Sequence, residues 1–247
     1  PTTVPIHIAI ENPLCVHHKA FVRVLVDGDE QDSRWVTMLV PDVGREAVYN
    51  DFIAMPWGPG MSHPITGKAY ADRTQALGLN GEFARIPYLS SENGLLTGGY
   101  IGGMGMFRES KNTGTGIRSR CLSDPELVTE HIAKARDQAT KQAPYGLFAV
   151  GITDEAFLSS RHDRNELCNS PHCQKRYRQW LRGKYGTLEA LNREWETAHT
   201  AWEQITGART EDVRGKANVA PFVDFRTFMT DVWSDACRTV TEAYHDI

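Results

Sequence analysis

Apolar and polar positions alternate along the first forty residues. Val22, Val24 and Val26 interleave with Phe21, Arg23 and Leu25, a period of two that predicts β structure. Asp27-Gly28-Asp29-Glu30 is a polar turn, and the next predicted strand is Trp35 to Val40. From about residue 50, short apolar runs alternate with helical stretches, the pattern of βα units on a parallel sheet. Asp51 to Met55 is the predicted first strand of that series, ending at Pro56-Trp57. A helix over Tyr70 to Leu77 stops at Gly78, and Glu82 to Ile86 is the second predicted strand. The glycine-rich stretch from Gly94 to Gly105 has no clear period. Only Gly105-Met106-Phe107 is assigned a strand there, and the spacing does not form a G-x-G-x-x-G phosphate loop.

The second half is more regular. Ser123-Asp124-Pro125-Glu126 has capping-box spacing, and Val128, Ile132, Ala135 and Ala139 follow at helical intervals up to Pro144. Gly146 to Ile152 is a nearly continuous apolar run, as expected of a buried parallel strand, and it breaks off at Thr153-Asp154-Glu155. Ser170 and Pro171 open a helix whose apolar face is Tyr177, Trp180, Leu181 and Tyr185, with Gly186 as its stop. Thr187 caps a shorter helix with Leu188, Leu191 and Trp195 inward. A long final helix starts near Pro221 and carries the stripe Phe222, Phe225, Met229, Val232, Ala236, Val240 and Ala243.

Composition narrows the class. With 40% hydrophobic and 23% charged residues among 247, the chain reads as globular rather than disordered or fibrous. No apolar run approaches the roughly 18 residues of a membrane-spanning helix. A net charge of -4 argues against a general affinity for nucleic acid or anionic lipid. Five cysteines cannot all pair within one chain, so thiols or a metal site are expected rather than a disulfide framework. The chain opens on Pro1 without a signal pattern and closes inside a helical pattern at Ile247, which reads as a segment of a longer protein.

The order and wording of several segments resemble glycoside hydrolase family 42, the β-galactosidases, and related clan-A barrels. Arg118-Ser-Arg-Cys121-Leu-Ser-Asp-Pro125 precedes a helix and a strand ending in an acid pair. A cysteine-containing insertion follows, then the run from Trp180 through Gly186-Thr187-Leu188 to Trp195, Trp202, and Asp224-Phe225-Arg226. The likeness is specific from about 118 to 228. It implies a (β/α)₈ TIM-barrel glycosidase domain over 45–247, present as its first half (strands one to four), with a β-rich region over 1–44 in front.

The family retains anomeric configuration, with an acid/base Glu after strand four, directly behind an Asn, and a nucleophile after strand seven. The resemblance implies that Glu155 is the acid/base. Asp154 stands where the family has Asn, which bears on the sugar contact there and on galactose specificity. A retaining enzyme needs a protonated carboxylic acid facing a carboxylate about 5–5.5 Å away. An apolar setting or a neighbouring charge raises the acid's pKa. Adjacent strand residues face opposite sides, so a shared proton between Asp154 and Glu155 does not follow. Without the family, the pair reads equally well as the cap and first-turn acid of a helix. Glu203, Glu211 and Glu242 read as surface acids, and no nucleophile is assigned.

The resemblance also places a substrate-contacting Arg at Arg118, or within a residue or two at Arg120; a solvated loop Arg is the alternative. Trp57 is either a sugar-stacking platform or a packed aromatic. Family members often carry a structural zinc, and Cys121, Cys168 and Cys173 match its region, with His172 or His162 left to supply a fourth ligand. Buried thiols are the equal alternative, and Cys15 and Cys237 read as ordinary thiols. Lys175, Arg176, Arg178, Arg182 and Lys184 make one helix basic. Without a second CxxC or HxxxH pair this is a solvated face and not a nucleic-acid module.

The expected function is therefore a retaining hydrolase of β-galactosides or related β-glycosides. It needs no cofactor for catalysis, has carbohydrate as partner rather than nucleic acid or membrane, and a homo-oligomer is open for the longer protein. A catalytically inactive carbohydrate-binding or scaffold protein on the same barrel is the alternative. The segment alone is expected to be inactive.

Overall fold

The structure is a computed structural model and describes residues 17–39, 53–57, 64–83, 86–101, 107, 116–154, 156–158 and 168–247. The fold is α/β. Its chain divides into two compact units, Pro1–Tyr100 with Thr140–Gly151, and Ile101–Ala139 with Ile152–Ile247.

The first unit begins with an antiparallel hairpin of β1 (His17–Val26) and β2 (Asp29–Leu39). Asp27 and Gly28 both take positive φ, the geometry that a two-residue turn between twisted strands requires. Phe21 and Trp35 lie directly opposite, with ring centroids 5.0 Å apart, and both are exposed. After it come α1 (Pro64–Ala76), β3 (Gly81–Phe83), α2 (Pro87–Glu92), β4 (Leu96–Tyr100) and, past the next helix, β5 (Ala149–Gly151). β3, β4 and β5 form one parallel sheet in that order. Ala71, Leu89 and Leu95, with Tyr70, Ile86 and Tyr88 against them, make the apolar core here. Glu82 in β3 is buried and accepts a hydrogen bond from Ser90 Oγ at 3.0 Å.

Several sequence expectations change in this unit. The strand expected over 51–55 is absent among its described residues, although the segment lies against β3. The backbone N–H groups of Asn80 and Gly81 both donate to Ala54 O, and Asn80 Oδ1 takes the Ala54 N–H. Side-chain capture of that N–H prevents a ladder from repeating, and Pro56 offers no donor further on. α1 starts at Pro64, six residues earlier than expected, because proline suits the first helical turn. It ends before Gly78, which takes φ +77°.

The second strand is confined to Gly81–Phe83, with 84–85 outside the described residues. The next strand among the described residues is β4, which the sequence did not predict; of the expected strand Gly105-Met106-Phe107, the first two residues lie outside the described residues and Phe107 lies in no strand. Two glycines of β4 are there for space. A Cβ on Gly98 would stand 3.0 Å from the Phe83 ring, and one on Gly99 2.9 Å from Leu147 Cδ2. The run expected as a buried strand is shorter and less covered: in β5, Ala149 is exposed and Val150 and Gly151 are half-buried.

The second unit is helical. α3 (Pro125–Gln142), whose last turn belongs to the first unit, is capped by Asp124 rather than by Ser123. Asp124 Oδ1 accepts the Glu126 N–H at 3.0 Å, which leaves the Ser123 hydroxyl for another partner. α4 (Pro171–Tyr185) and α5 (Leu188–Trp195) have the expected caps. Ser170 accepts from Cys173 N, and Thr187 from Ala190 N. A single turn, α6 (Thr210–Val213), leads to α7 (Ala220–His245). Tyr177 of α4 packs between Phe225 and Phe228 of α7, with centroids 5.2 and 5.0 Å away, and Leu181, Leu191, Met229 and Val232 are buried around them. Buried Asp224 of α7 binds the other two helices. Tyr185 Oη donates to it at 2.6 Å, Trp195 Nε1 at 2.9 Å and Lys184 Nζ at 2.5 Å. None of the described helices is long and apolar enough to cross a membrane.

Candidate functional site

Two features of the second unit carry chemistry: the acid pair that follows β5 and the cysteine cluster. Asp154 is exposed in a turn three residues past the end of β5, on the C-terminal side of a parallel strand. That edge of a βα sheet is where active-site loops gather. Glu155 lies outside the described residues, as does His162. The chain just after it is held firmly. Phe157 N–H donates to Phe107 O at 2.9 Å, and Phe107 is fully buried against Trp233, edge to face at 5.3 Å.

Arg118 is the second tether of that segment. Its guanidinium donates to Phe157 O at 3.3 Å and to Arg120 O at 3.4 Å, and only 2% of the residue is exposed. Arg120 is exposed. Trp57 belongs to the first unit and is 75% exposed, with its ring 6.2 Å from Phe83.

Cys121, Cys168 and Cys173 converge although 47 residues separate the first two. All three are buried, and their sulfurs lie within 4.8 Å of one another. Cys121 Sγ and Cys173 Sγ are 3.6 Å apart. Local folding brings them together. Asn169 N–H donates to Gly116 O at 2.7 Å, and Asn169 Oδ1 accepts Gly207 N–H at 3.0 Å, which pins Cys168 beside the 116–123 loop. The Ser170 cap then turns the chain so that Cys173 enters from the first turn of α4.

Backbone donors point at the sulfurs: Arg118 N–H at Cys168 Sγ, 3.3 Å, and Ser123 N–H at Cys121 Sγ, 3.4 Å. Cys173 Sγ reaches Ser123 Oγ at 3.3 Å, and Cys121 Sγ lies 2.9 Å from Ser170 Oγ. Three thiolates cannot coexist so close without a cation, so their titrations split. Donation from Cys121 and then Cys173 pulls Cys168 far below the usual thiol range. Cys173 is pushed up by its bonds to Cys121 and Cys168, and Cys121 chiefly by its bond to Cys168. Cys237 stands apart, its thiol raised by burial, and Cys15 lies outside the described residues.

The donor set suits zinc. Metal–sulfur bonds of about 2.3 Å in a tetrahedron put sulfurs about 3.8 Å apart. The observed 3.6 Å between Cys121 and Cys173 is close to that edge. His172 is exposed on α4. The sequence reading singled out all three cysteines but treated Ser170 only as a helix start and did not single out Ser123 or Asn169. The spacing Cys-x-Ser-x-x-Cys, with a polar side chain between two ligands, was the available signal.

Comparison with known proteins bears on the same region. Residues 138–247 match the sequence family of glycoside hydrolase family 42, described as beta-galactosidase. The beta-galactosidase of Thermus thermophilus is 51% identical over 93 residues, an alignment covering 36% of this chain and 13% of the relative. Beta-galactosidase BglY of Alicyclobacillus acidocaldarius is 36% identical over 86 residues, 31% of this chain and 12% of that protein.

Among solved structures, the beta-galactosidase of the psychrophilic Marinomonas ef1 superposes with a TM-score of 0.57 at 14% identity, covering 78% of this chain and 35% of its own. An exo-beta-agarase gives 0.55 at 14% identity, covering 93% and 32%. The chain thus spans about a third of each of these two solved structures, and its fold is like part of a glycosidase barrel. Residues 138–247 carry the pattern of glycoside hydrolase family 42.

Proposed function

We propose that the protein to which this chain belongs is a retaining glycoside hydrolase acting on β-galactosides or related β-glycosides, with Glu155 as its general acid/base. The observation that carries the reading is the position of Asp154 just beyond the C-terminal end of β5 in a parallel βαβαβ sheet, with Glu155 next in the sequence. In this reading the 53–57 segment, β3, β4 and β5 are the first four barrel staves, and residues 1–44 form a β-rich region ahead of a barrel domain over 45–247. The hydrogen bonds of Ala54 to Asn80 and Gly81 set the first stave beside the second.

Glu155 would protonate the glycosidic oxygen as the bond to the sugar breaks, and then take the proton of the water that releases the glycosyl intermediate. The nucleophilic carboxylate is not assigned to this chain. Asp154 would contact the sugar, and Trp57 would offer an exposed apolar face for stacking. Arg118, which donates to two carbonyls, would act on the substrate through its hold on Phe157, two residues after Glu155 in the sequence, and Arg120 stays open as the direct contact. Glu155→Gln in a protein carrying the whole barrel should cut turnover of substrates with poor leaving groups by about 10²–10⁴-fold. The first step on activated aryl glycosides should suffer much less, since little protonation is needed there. Equal losses on both, with deglycosylation measured separately, would remove Glu155 from the role.

We also infer that Cys121, Cys168 and Cys173 hold a structural zinc, which would neutralise the thiolates and clamp the 116–123 loop to the start of α4. The purified protein should then contain about one equivalent, and a chelator should lower its unfolding temperature. Absence of metal with three freely titrating thiols would leave a plain buried cluster.

A further inference from the structure

We propose that Ser170 Oγ supplies the fourth corner of the thiol cluster, so that the metal is held by three sulfurs and one hydroxyl oxygen. The inference rests on the zinc reading above and adds to it the identity of the remaining ligand.

Ser170 is 4% exposed and sits between two of the sulfur ligands in Cys168-Asn169-Ser170-Pro171-His172-Cys173. Its Oγ lies 2.9 Å from Cys121 Sγ and receives the Cys173 N–H at 3.2 Å. In a cluster whose three sulfurs lie within 4.8 Å of one another, this oxygen stands against the Cys121 sulfur and the helix turn that carries Cys173, beside the place a fourth ligand would take. Ser123 Oγ is the rival oxygen, but it is half-buried and stands farther from its sulfur, 3.3 Å from Cys173 Sγ.

The bond geometry also permits both duties of Ser170. A hydroxyl oxygen has two acceptor lone pairs, so it can cap the N–H of Cys173 and still present a lone pair to a cation. The α4 N-terminus, a 15-residue helix, adds a favourable field for the net negative charge of three thiolates on a divalent ion. A neutral oxygen is a harder donor than thiolate, so this corner is the weakest bond of the site and the one most easily exchanged.

The test compares zinc-loaded wild-type chain with Ser170→Cys, Ser170→Thr and Ser170→Ala by X-ray absorption at the zinc edge and by competition with a chromophoric chelator. Wild type and Ser170→Thr should show three sulfurs and one light atom without imidazole scattering. Ser170→Cys should show four sulfurs and bind zinc at least about tenfold more tightly. Ser170→Ala should keep three sulfurs and release zinc faster than wild type. Imidazole scattering in the wild type, or three sulfurs unchanged in Ser170→Cys, would overturn the assignment of Ser170 while leaving the zinc site itself intact. Wild-type chain that takes up no zinc would overturn both.

Discussion

Asp224 concentrates more polar contacts than any other described carboxylate in the helical unit, and its burial sets their worth. It is 2% exposed and accepts from Tyr185, Trp195 and Lys184. Its three donors are not equivalent. The Lys184 side chain is 44% exposed and can turn to water, whereas Trp195 is only 5% exposed. Removing Asp224 would strand that indole N–H at a cost of about 1–3 kcal/mol, with the packing of the site lost besides. Asp224→Ala should therefore lower the unfolding free energy of the chain by about 2–4 kcal/mol in denaturant titration. Lys184→Met should cost about 1 kcal/mol or less, because that pair faces water. Equal effects would mean that the lysine charge, and not the buried hydrogen bonds, joins the helices.

At the scale of elements, legibility followed the range of the signals. α4, α5 and α7 were readable because their apolar stripes, the Ser170 and Thr187 caps and the Gly186 stop lie within one or two turns of the residues they control. β4 was not, since Gly98 and Gly99 carry no side-chain pattern. What makes them strand residues is the room they leave for Phe83, Phe148 and Leu147, which arrive from elsewhere in the chain. The start of α3 shows how two local signals compete. Ser123 has the spacing for a capping box, but Asp124 takes the N–H and Ser123 turns to Cys173. Asp124→Ala should cost about 1 kcal/mol and speed hydrogen exchange in the first turn of α3. Ser123→Ala should leave those amides as protected as before. A larger loss of protection from the serine change would restore the capping box.

For the molecule as a whole, the acid pair stood out as a candidate because an apolar run broke off at two carboxylates, and the cysteine cluster was legible because its residue type is rare. Ser170, Ser123 and Asn169 were not, because their roles depend on which distant segments they meet. The same distinction governs activity. Double displacement on a sugar needs two carboxylates about 5–5.5 Å apart on either side of the anomeric carbon, and barrel glycosidases bring them from different strand ends. The parallel sheet described in this chain has three strands, and the chain covers 32% to 35% of the barrel structures cited above. One carboxylate of the pair, Glu155, is proposed above. We therefore expect the 247-residue chain, made alone, to hydrolyse neither aryl nor oligosaccharide β-galactosides. A protein extended through the remaining barrel strands should turn over both, and lose that activity in Glu155→Gln. Measurable turnover by the 247-residue chain that survives Glu155→Gln would place both carboxylates elsewhere and defeat the assignment of the acid/base. Turnover abolished by that change would instead locate the missing nucleophile within these 247 residues.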